Sequence, residues 1–134
     1  MASVTTAGYS GTPLPAKLGI RPGSRVLVDC PPRDFVLDVP PDVIRRAPYD
    51  VILAFCLDAR RLQLRFTALA GRLSDSGRRW IAWPKRSSGV PTDLSDDAIR
   101  RHGLAAGLVD IKVCAIDATW SGLAFVTRVA DRRG

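Results

Sequence analysis

The residues best suited to chemistry in this chain follow two closely spaced tryptophans, Trp80 and Trp83. After Pro84 the chain continues with Lys85 and Arg86, and then with two serines and a glycine. Cationic side chains with neighbouring hydroxyl and backbone N–H donors form a set that holds phosphate or carboxylate. The sequence therefore predicts an anion-binding loop. Its candidate ligand-binding residues are Trp83, Lys85, Arg86, Ser87 and Ser88.

This predicted loop lacks the spacing of a P-loop, whose glycine-rich turn ends in Gly-Lys-Ser/Thr. An ordinary surface loop followed by a helix cap explains the same residues, and that interpretation stays open. Asp58 and Asp93 precede helix starts, where capping is the expected use of a carboxylate. Acid–base chemistry would have to rest on aspartate, and no catalytic residue is assigned. Secondary candidates for ligand contact are Tyr9, Thr12, Asp29, Thr92, Asp93 and Trp120.

The cysteines do not form a recognisable metal or redox motif. Cys30 and Cys56 fall at the ends of neighbouring predicted strands, and the only histidine, His102, lies near the far end of a predicted helix. Zinc requires four ligands, so no metal site is predicted. A Cys-His nucleophile is disfavoured because His102 would have to reach across the domain. Cys30 and Cys56 are therefore expected to be small buried thiols.

Three near-continuous apolar runs are expected to position the loop, at residues 25–30, 49–56 and 79–83. Such runs are typical of strands buried on both faces of a parallel sheet. Trp80 and Trp83, three apart on the third strand, are expected to face opposite sides, with Trp80 in the core. The apolar spacing of Leu62, Phe66, Leu69 and Leu73 predicts an amphipathic helix after Asp58, ending at residues 74–77.

A second helix is predicted to start at Ser95, as N-cap, and to run to about residue 107. Strands at 109–116 and 123–129 are expected to form an antiparallel hairpin across residues 117–122, with Trp120 in the turn. Residues 31–50 are interrupted by five prolines, and a short helix is favoured there because parallel crossovers are usually helical. The predicted fold is α/β: a small, Rossmann-like, three-layer open sheet, mostly parallel with a C-terminal antiparallel hairpin.

Length and composition are consistent with one domain. A chain of 134 residues can bury a sizeable core, and we expect one α/β domain at residues 8–130 with flexible ends at 1–7 and 131–134. The first residues show neither a basic start nor an apolar run, so no signal peptide is predicted. No apolar segment approaches the ~20 residues of a membrane helix. Three irregularly spaced cysteines suit a reducing compartment, and the cytoplasm is the expected location.

The chain is strongly basic, with a net charge of +7. It contains 17 arginines and three lysines, and every acidic residue is aspartate. Such a balance favours polyanionic partners, RNA among them, because neutralising phosphates drives nonspecific binding. Arginines scattered over a solvated surface are the alternative, because they occur in separate pairs. These pairs are Arg45-Arg46, Arg60-Arg61, Arg78-Arg79, Arg100-Arg101 and Arg132-Arg133.

A set of short motifs covers nearly the whole chain. They are Gly-Tyr-Ser-Gly-Thr-Pro-Leu at 8–14, Leu-Gly-Ile-Arg-Pro-Gly at 18–23, Trp-Pro-Lys at 83–85, Gly-Val-Pro-Thr-Asp-Leu at 89–94, and Val-Cys-Ala at 113–115 with Thr-Trp-Ser-Gly at 119–122. Together they resemble the bacterial domain of unknown function numbered 3052. The resemblance implies a small Rossmann-like domain similar to the class I methyltransferases, and it supplies no activity.

Methyltransferases of that class bind S-adenosylmethionine on a glycine-rich turn after the first strand, because only glycine lets the backbone approach the cofactor closely. Here the first strand is followed by Cys30, Pro31 and Pro32, which add bulk and remove two N–H donors. S-adenosylmethionine is therefore not expected to bind in the usual way, and no other cofactor is implied.

Three functional hypotheses follow. The first is a non-catalytic binding module for an anionic small molecule, a nucleotide or a protein partner. The second is a nucleic-acid-associated protein, derived from an RNA methyltransferase, which places arginines on phosphates and stacks bases on Trp83 or Tyr9. A divergent methyltransferase is the third. No membrane partner is expected.

Overall fold

The computed structural model describes residues 12–132, and an open five-stranded sheet in the order β1-β2-β3-β5-β4 organises them. The strands are Val26–Asp29 (β1), Tyr49–Phe55 (β2), Leu73–Pro84 (β3), Leu108–Ala115 (β4) and Trp120–Thr127 (β5). The helices are Leu14–Leu18 (α1), Ala59–Ala68 (α2) and Asp96–Ala105 (α3), with 3₁₀ turns at Arg86–Ser88 and Val129–Asp131. Tyr9, residues 1–7 and residues 133–134 lie outside the described residues.

The sheet is mixed rather than mostly parallel. β1 pairs with β2 and β2 with β3 in parallel, whereas β5 is antiparallel to both β3 and β4. The predicted α/β class and the antiparallel hairpin of β4 with β5 are confirmed. The expectation of a mostly parallel sheet is wrong, because β5 inserts between β3 and β4 and makes half of the strand pairings antiparallel.

Helices α2 and α3 cover one face of the sheet. Phe66 of α2 and Ile99 of α3 pack there with Ile81, Trp83 and Phe125 of the strands. The opposite face buries Trp80, whose indole Nε1 donates to the backbone carbonyl of Leu18 at 3.0 Å. The prediction that the two tryptophans face opposite sides is confirmed, as expected from strand alternation.

An irregular segment, residues 30–48, covers that second face together with α1. The short helix predicted there is wrong, because the prolines remove N–H donors and the segment adopts no regular structure. Phe35, Leu37 and Val39 pack against the sheet, while Val36 and Asp38 are exposed. This alternation has the period of an extended chain. Phe35 meets Phe55 edge-on, with ring centroids 4.8 Å apart.

Two predicted boundaries also shift. α2 ends at Ala68, and residues 74–77, predicted to end the helix, belong to β3 instead. The predicted hairpin turn is shorter, because Trp120 already starts β5. Asp117 tightens that turn by accepting hydrogen bonds from the backbone N–H groups of Thr119 and Trp120, both at 2.8 Å. Within residues 12–132 no helix has the length and apolar character needed to cross a membrane.

Candidate functional site

The loop after β3 lies at the sheet edge where the parallel strands end. Lys85 donates its backbone N–H to the carbonyl of Thr119 at 2.8 Å, which ties the loop to the hairpin turn. Gly89 follows the 3₁₀ turn with φ of +77°, a left-handed conformation that glycine adopts without strain. The loop is thus anchored to the hairpin turn at Lys85, and the chain reverses at Gly89.

A cavity of about 480 Å³ opens between this loop and the start of α3. We call it the loop cavity. Three of the five predicted ligand-binding residues line it, namely Trp83, Lys85 and Arg86, and Thr92 does so as well. Ser87 and Ser88 lie outside this lining. The Ser88 hydroxyl donates to the carbonyl of Lys85 at 2.6 Å and accepts from the Val90 N–H at 3.2 Å, so it holds the loop's own backbone.

The two cations of the loop cavity are available to a ligand. Lys85 is half-buried and Arg86 is exposed. Within residues 12–132 neither takes part in any of the ion pairs, which involve Arg61, Arg65 and Arg100. Trp83 is only 7% exposed, so it contributes a wall rather than a stacking surface.

The start of α3 contributes little to anion binding, because its own side chains occupy its amides. The hydroxyl of Ser95, the predicted N-cap, accepts from the Ala98 N–H at 3.2 Å. The Asp96 carboxylate, which also lines the loop cavity, accepts from the Asp97 N–H at 2.9 Å. An anion in the loop cavity therefore depends on Lys85 and Arg86.

Asp93 has a capping role, as predicted, but on another helix. Its carboxylate accepts the Ala59 N–H at 2.8 Å, at the first residue of α2. Asp58 accepts the Arg61 N–H at 2.9 Å in the same helix start. Asp93 thus fastens the loop to α2 across 34 residues of sequence. A local sequence pattern shows a capping residue, and only the fold shows which helix it reaches.

The remaining secondary candidates do not join the loop cavity. Asp29, at the end of β1, binds Arg65 of α2 through two hydrogen bonds of 2.7 and 2.8 Å. Those bonds raise the pKa of the Arg65 guanidinium. Trp120 is buried and meets Phe55 edge-on at 5.0 Å. Thr12 is exposed, two residues before α1.

A second, apolar cavity of about 470 Å³ lies at the same sheet edge. Pro31, Pro32, Phe55 and Trp120 contribute to its wall, together with Leu57 and Leu64. Within residues 12–132, none of the residues predicted from the sequence to bind the ligand, except Trp120 among the secondary candidates, lines this cavity. Leu64 could have indicated this cavity from the sequence, because it is an apolar residue outside the buried stripe of the predicted helix. In the structure it is 58% exposed.

The cysteines divide into exposed and buried ones. Cys56 is buried as predicted, and burial, followed by the charge of Asp29 and the neighbouring Cys30, raises its pKa to about 12. The Cys56 thiol therefore stays protonated near neutral pH. Cys30 is exposed, so the prediction of a buried thiol is wrong for that residue. Its φ of +53° turns the chain out of β1 toward the two prolines.

Comparisons of the chain with protein-family models, with curated proteins and with solved structures find no match. The resemblance to the bacterial domain family thus stays a prediction that rests on its motifs. Any function proposed for the chain then rests on the geometry of its sites.

Among residues 12–132, no three or more His, Cys, Asp or Glu side chains are grouped so as to hold a metal ion.

Proposed function

We propose that the protein is a small Rossmann-like domain, similar to the class I methyltransferases, that acts as a non-catalytic binding module for an anionic small molecule in the loop cavity. The observation that carries the proposal is the pair Lys85 and Arg86. Both line one cavity at the sheet edge, and neither has a carboxylate partner within the described part of the chain.

The chemistry of the wall favours a phosphate-bearing ligand that also carries hydroxyl groups. Two cations suit a phosphate group, which distributes charge over several oxygens. Asp96 faces the same cavity and disfavours a ligand that is anionic throughout, but its carboxylate can accept a hydrogen bond from a hydroxyl. A volume of about 480 Å³ lies within the range of small-molecule sites. A nucleotide or a sugar phosphate meets these requirements.

A binding role is favoured over catalysis because the nearby candidate groups already have structural partners. Asp29 is bound to Arg65, and Asp93 caps α2. The Cys56 thiol is buried and protonated. A general base or nucleophile needs a free group within reach of the substrate.

Ligand-dependent thermal stabilisation tests the proposal. Inorganic phosphate and adenosine monophosphate are titrated against the wild type and a Lys85→Ala/Arg86→Ala variant. We expect a concentration-dependent rise in Tm, since bound ligand stabilises by mass action, and its loss in the variant. An Arg60→Ala/Arg101→Ala variant is the control, because it removes the same charge from exposed positions outside the cavity. An equal response in all three proteins, or none in the wild type, contradicts the proposal.

Nucleic-acid association is the second candidate, and the position of several arginines favours it. Arg21 precedes β1, Arg45 and Arg46 precede β2, Arg72 precedes β3, and Arg78 lies in β3 opposite Val51, near the start of β2. The starts of parallel strands share one edge of the sheet, so these cations gather at the edge opposite the loop cavity. Within residues 12–132 none of the five makes an ion pair.

Salt dependence tests this second candidate. If the edge binds single-stranded RNA, affinity falls steeply with added salt, and Arg45→Glu/Arg46→Glu weakens binding more than the control Arg60→Glu/Arg101→Glu. A flat salt response or equal effects of the two variants excludes it. The divergent methyltransferase, the third candidate, requires S-adenosylmethionine to raise the Tm of the wild type.

A further inference from the structure

A third cavity, of about 410 Å³, lies where α2 and α3 end, on the helical face of the sheet. We call it the helix-end cavity. Its wall combines apolar side chains with the two cationic or titratable residues Arg79 and His102. The apolar part includes Phe66, Leu69, Leu73 and Leu108, and the exposed rim includes Thr67, Ala70 and Ala106.

Arg79 is the unusual element of this wall, because it is a charged residue of β3 that is only 4% exposed. Its Nη2 donates to the backbone carbonyls of Arg65 and Phe66, at 3.1 and 2.8 Å, near the end of α2. The guanidinium carbon lies 3.9 Å from the centre of the Phe66 ring. These contacts fix the position of the charge over α2.

The contacts of Arg79 leave its charge only partly compensated. Within residues 12–132 no carboxylate pairs with Arg79, and its buried Nε has no hydrogen-bond acceptor. Burial lowers the pKa of Arg79 to about 10, so the guanidinium still carries its charge near neutral pH. A buried charge without a counter-charge is costly, and a bound anion removes part of that cost.

We propose that the helix-end cavity is a second binding site, which takes a small carboxylic acid whose carboxylate lies on Arg79 and whose apolar body packs against Phe66, Leu69 and Leu108. His102 lines the same cavity, and its ring N–H supplies a further donor. The site lies apart from the loop cavity, and the inference does not depend on the function proposed above.

A carboxylate fits this cavity better than a phosphate does. One guanidinium matches the charge and the planar geometry of one carboxylate. A phosphate with a second negative charge has no second cation in the described wall, because His102 has a pKa lowered by burial and by the charge of Arg79. The apolar wall further favours a ligand with a hydrocarbon body, because burying apolar surface is favourable in proportion to its area.

Isothermal titration with three probes tests the site: sodium octanoate, octanol and inorganic phosphate. We expect saturable one-site binding of octanoate, with octanol at least about tenfold weaker because it lacks the carboxylate. Phosphate is titrated into the Lys85→Ala/Arg86→Ala variant, which lacks the cations of the loop cavity, and is expected to bind there at least about tenfold more weakly than octanoate because it lacks the hydrocarbon body. Octanol binding as tightly as octanoate overturns the role of Arg79. Absence of saturable octanoate binding overturns the site itself.

Matched variants locate the binding. Ala106→Phe fills the mouth of the helix-end cavity from an exposed position, whereas Ala105→Phe adds the same ring one residue earlier, outside the wall. Octanoate binding is expected to be lost in the first variant and kept in the second, and the reverse or an equal effect contradicts the proposal. Arg79→Met, where it folds, is expected to weaken octanoate but not octanol.

The same titrations keep this inference separate from the proposed function. The Lys85→Ala/Arg86→Ala variant is expected to bind octanoate as the wild type does. Loss of octanoate binding in that variant assigns the carboxylate to the loop cavity and overturns the helix-end site.

Discussion

Two arginines on the helical face of the sheet, Arg65 of α2 and Arg79 of β3, have opposite environments. Arg65, at the edge where the parallel strands end, binds the Asp29 carboxylate through two hydrogen bonds, which raise its pKa. Arg79, nearer the opposite edge, has only backbone carbonyls and the Phe66 ring as partners, and burial lowers its pKa. The Arg65 guanidinium is thus neutralised by a carboxylate, whereas the Arg79 guanidinium has no carboxylate partner among residues 12–132.

Both arginines lie near the end of α2, since Arg65 is in its last turn and Arg79 donates to the carbonyls of Arg65 and Phe66. Where α2 and α3 start, free N–H groups are satisfied by the local acceptors Asp58, Asp93 and Ser95. Where α2 ends, Arg79 of the adjacent strand donates to the carbonyl of Phe66 and to that of Arg65, which also accepts the Leu69 N–H. A cation near a helix C-terminus is also favoured by the helix dipole. Arg79 is therefore both a helix cap and the charge of an open cavity.

The largest expected effect concerns the packing that holds α3 beside this cavity. Gly103 lies so close to the sheet that a Cβ atom there would overlap the Phe125 ring. We expect Gly103→Ala to lower the free energy of unfolding by about 3 kcal/mol, since neither backbone nor ring can yield without strain. Denaturant unfolding measures this, with Ala105→Ser as the exposed control. A loss below that of the control would mean that the helix-end region is loosely packed.

Replacing Arg79 separates its charge from its packing. Arg79→Ala removes the contact with Phe66 and the donor to the α2 carbonyls, and we expect a loss of about 2 to 3 kcal/mol. Arg79→Met keeps most of the volume and removes the excess charge, so its loss is expected to be clearly smaller. Urea unfolding of both variants gives the comparison. Equal losses would show that the charge itself is needed for stability.

For Arg65, in contrast to Arg79, the carboxylate partner is expected to stabilise the fold. Asp29→Ala leaves Arg65 without its carboxylate, and we expect a loss of about 2 kcal/mol. A double-mutant cycle with Arg65→Met isolates the interaction. The sum of the two single-variant losses in the free energy of unfolding should exceed the loss in the double variant by about 1 kcal/mol or more. Additive losses would remove the contrast between the two arginines.

Sequence patterns predicted the strands but not which strands pair with one another in the sheet. The apolar runs located the strands, and the three-residue spacing of Trp80 and Trp83 placed them on opposite faces. The position of β5 inside the sheet was not predictable from local patterns, because strand order depends on contacts between distant residues. The alternation of Phe35, Leu37 and Val39 with polar or exposed residues does indicate an extended segment. A helix was predicted there instead, because parallel crossovers are usually helical.

The candidate site was predicted to a similar extent. Lys85 and Arg86 were recognised by charge and by their position after a strand, and they do share a cavity with Trp83. Arg79 was not singled out, since it starts the predicted strand at residues 79–83 and a cation at such a position ordinarily reaches solvent. Only the position of α2 over β3 shows that its side chain is enclosed.

A smaller effect is expected where the loop is fastened to the helix layer. Asp93→Ala removes the acceptor of the Ala59 N–H and should cost about 1 kcal/mol, a typical value for a helix cap. Asp93→Asn keeps an oxygen at that position and should cost less. Hydrogen exchange of the Ala59 amide locates the effect. Unchanged exchange at Ala59 in Asp93→Ala would show that the loop and α2 are held together by other contacts.

The smallest expected effect is a pH dependence from His102, the only histidine of the chain. Its ring meets Phe66 edge-on at 4.7 Å, and burial, followed by the charge of Arg79, lowers its pKa below the ordinary value of 6.5. The unfolded chain then binds a proton before the folded protein does. Stability from the neutral ring is thus fully present above pH 6.5 and is lost as pH falls through the folded pKa. The free energy of unfolding of the wild type and of His102→Asn, measured in urea, should differ in its dependence on pH over this window only. Parallel pH profiles would mean that neither burial nor the charge of Arg79 lowers the pKa of His102 in the folded protein.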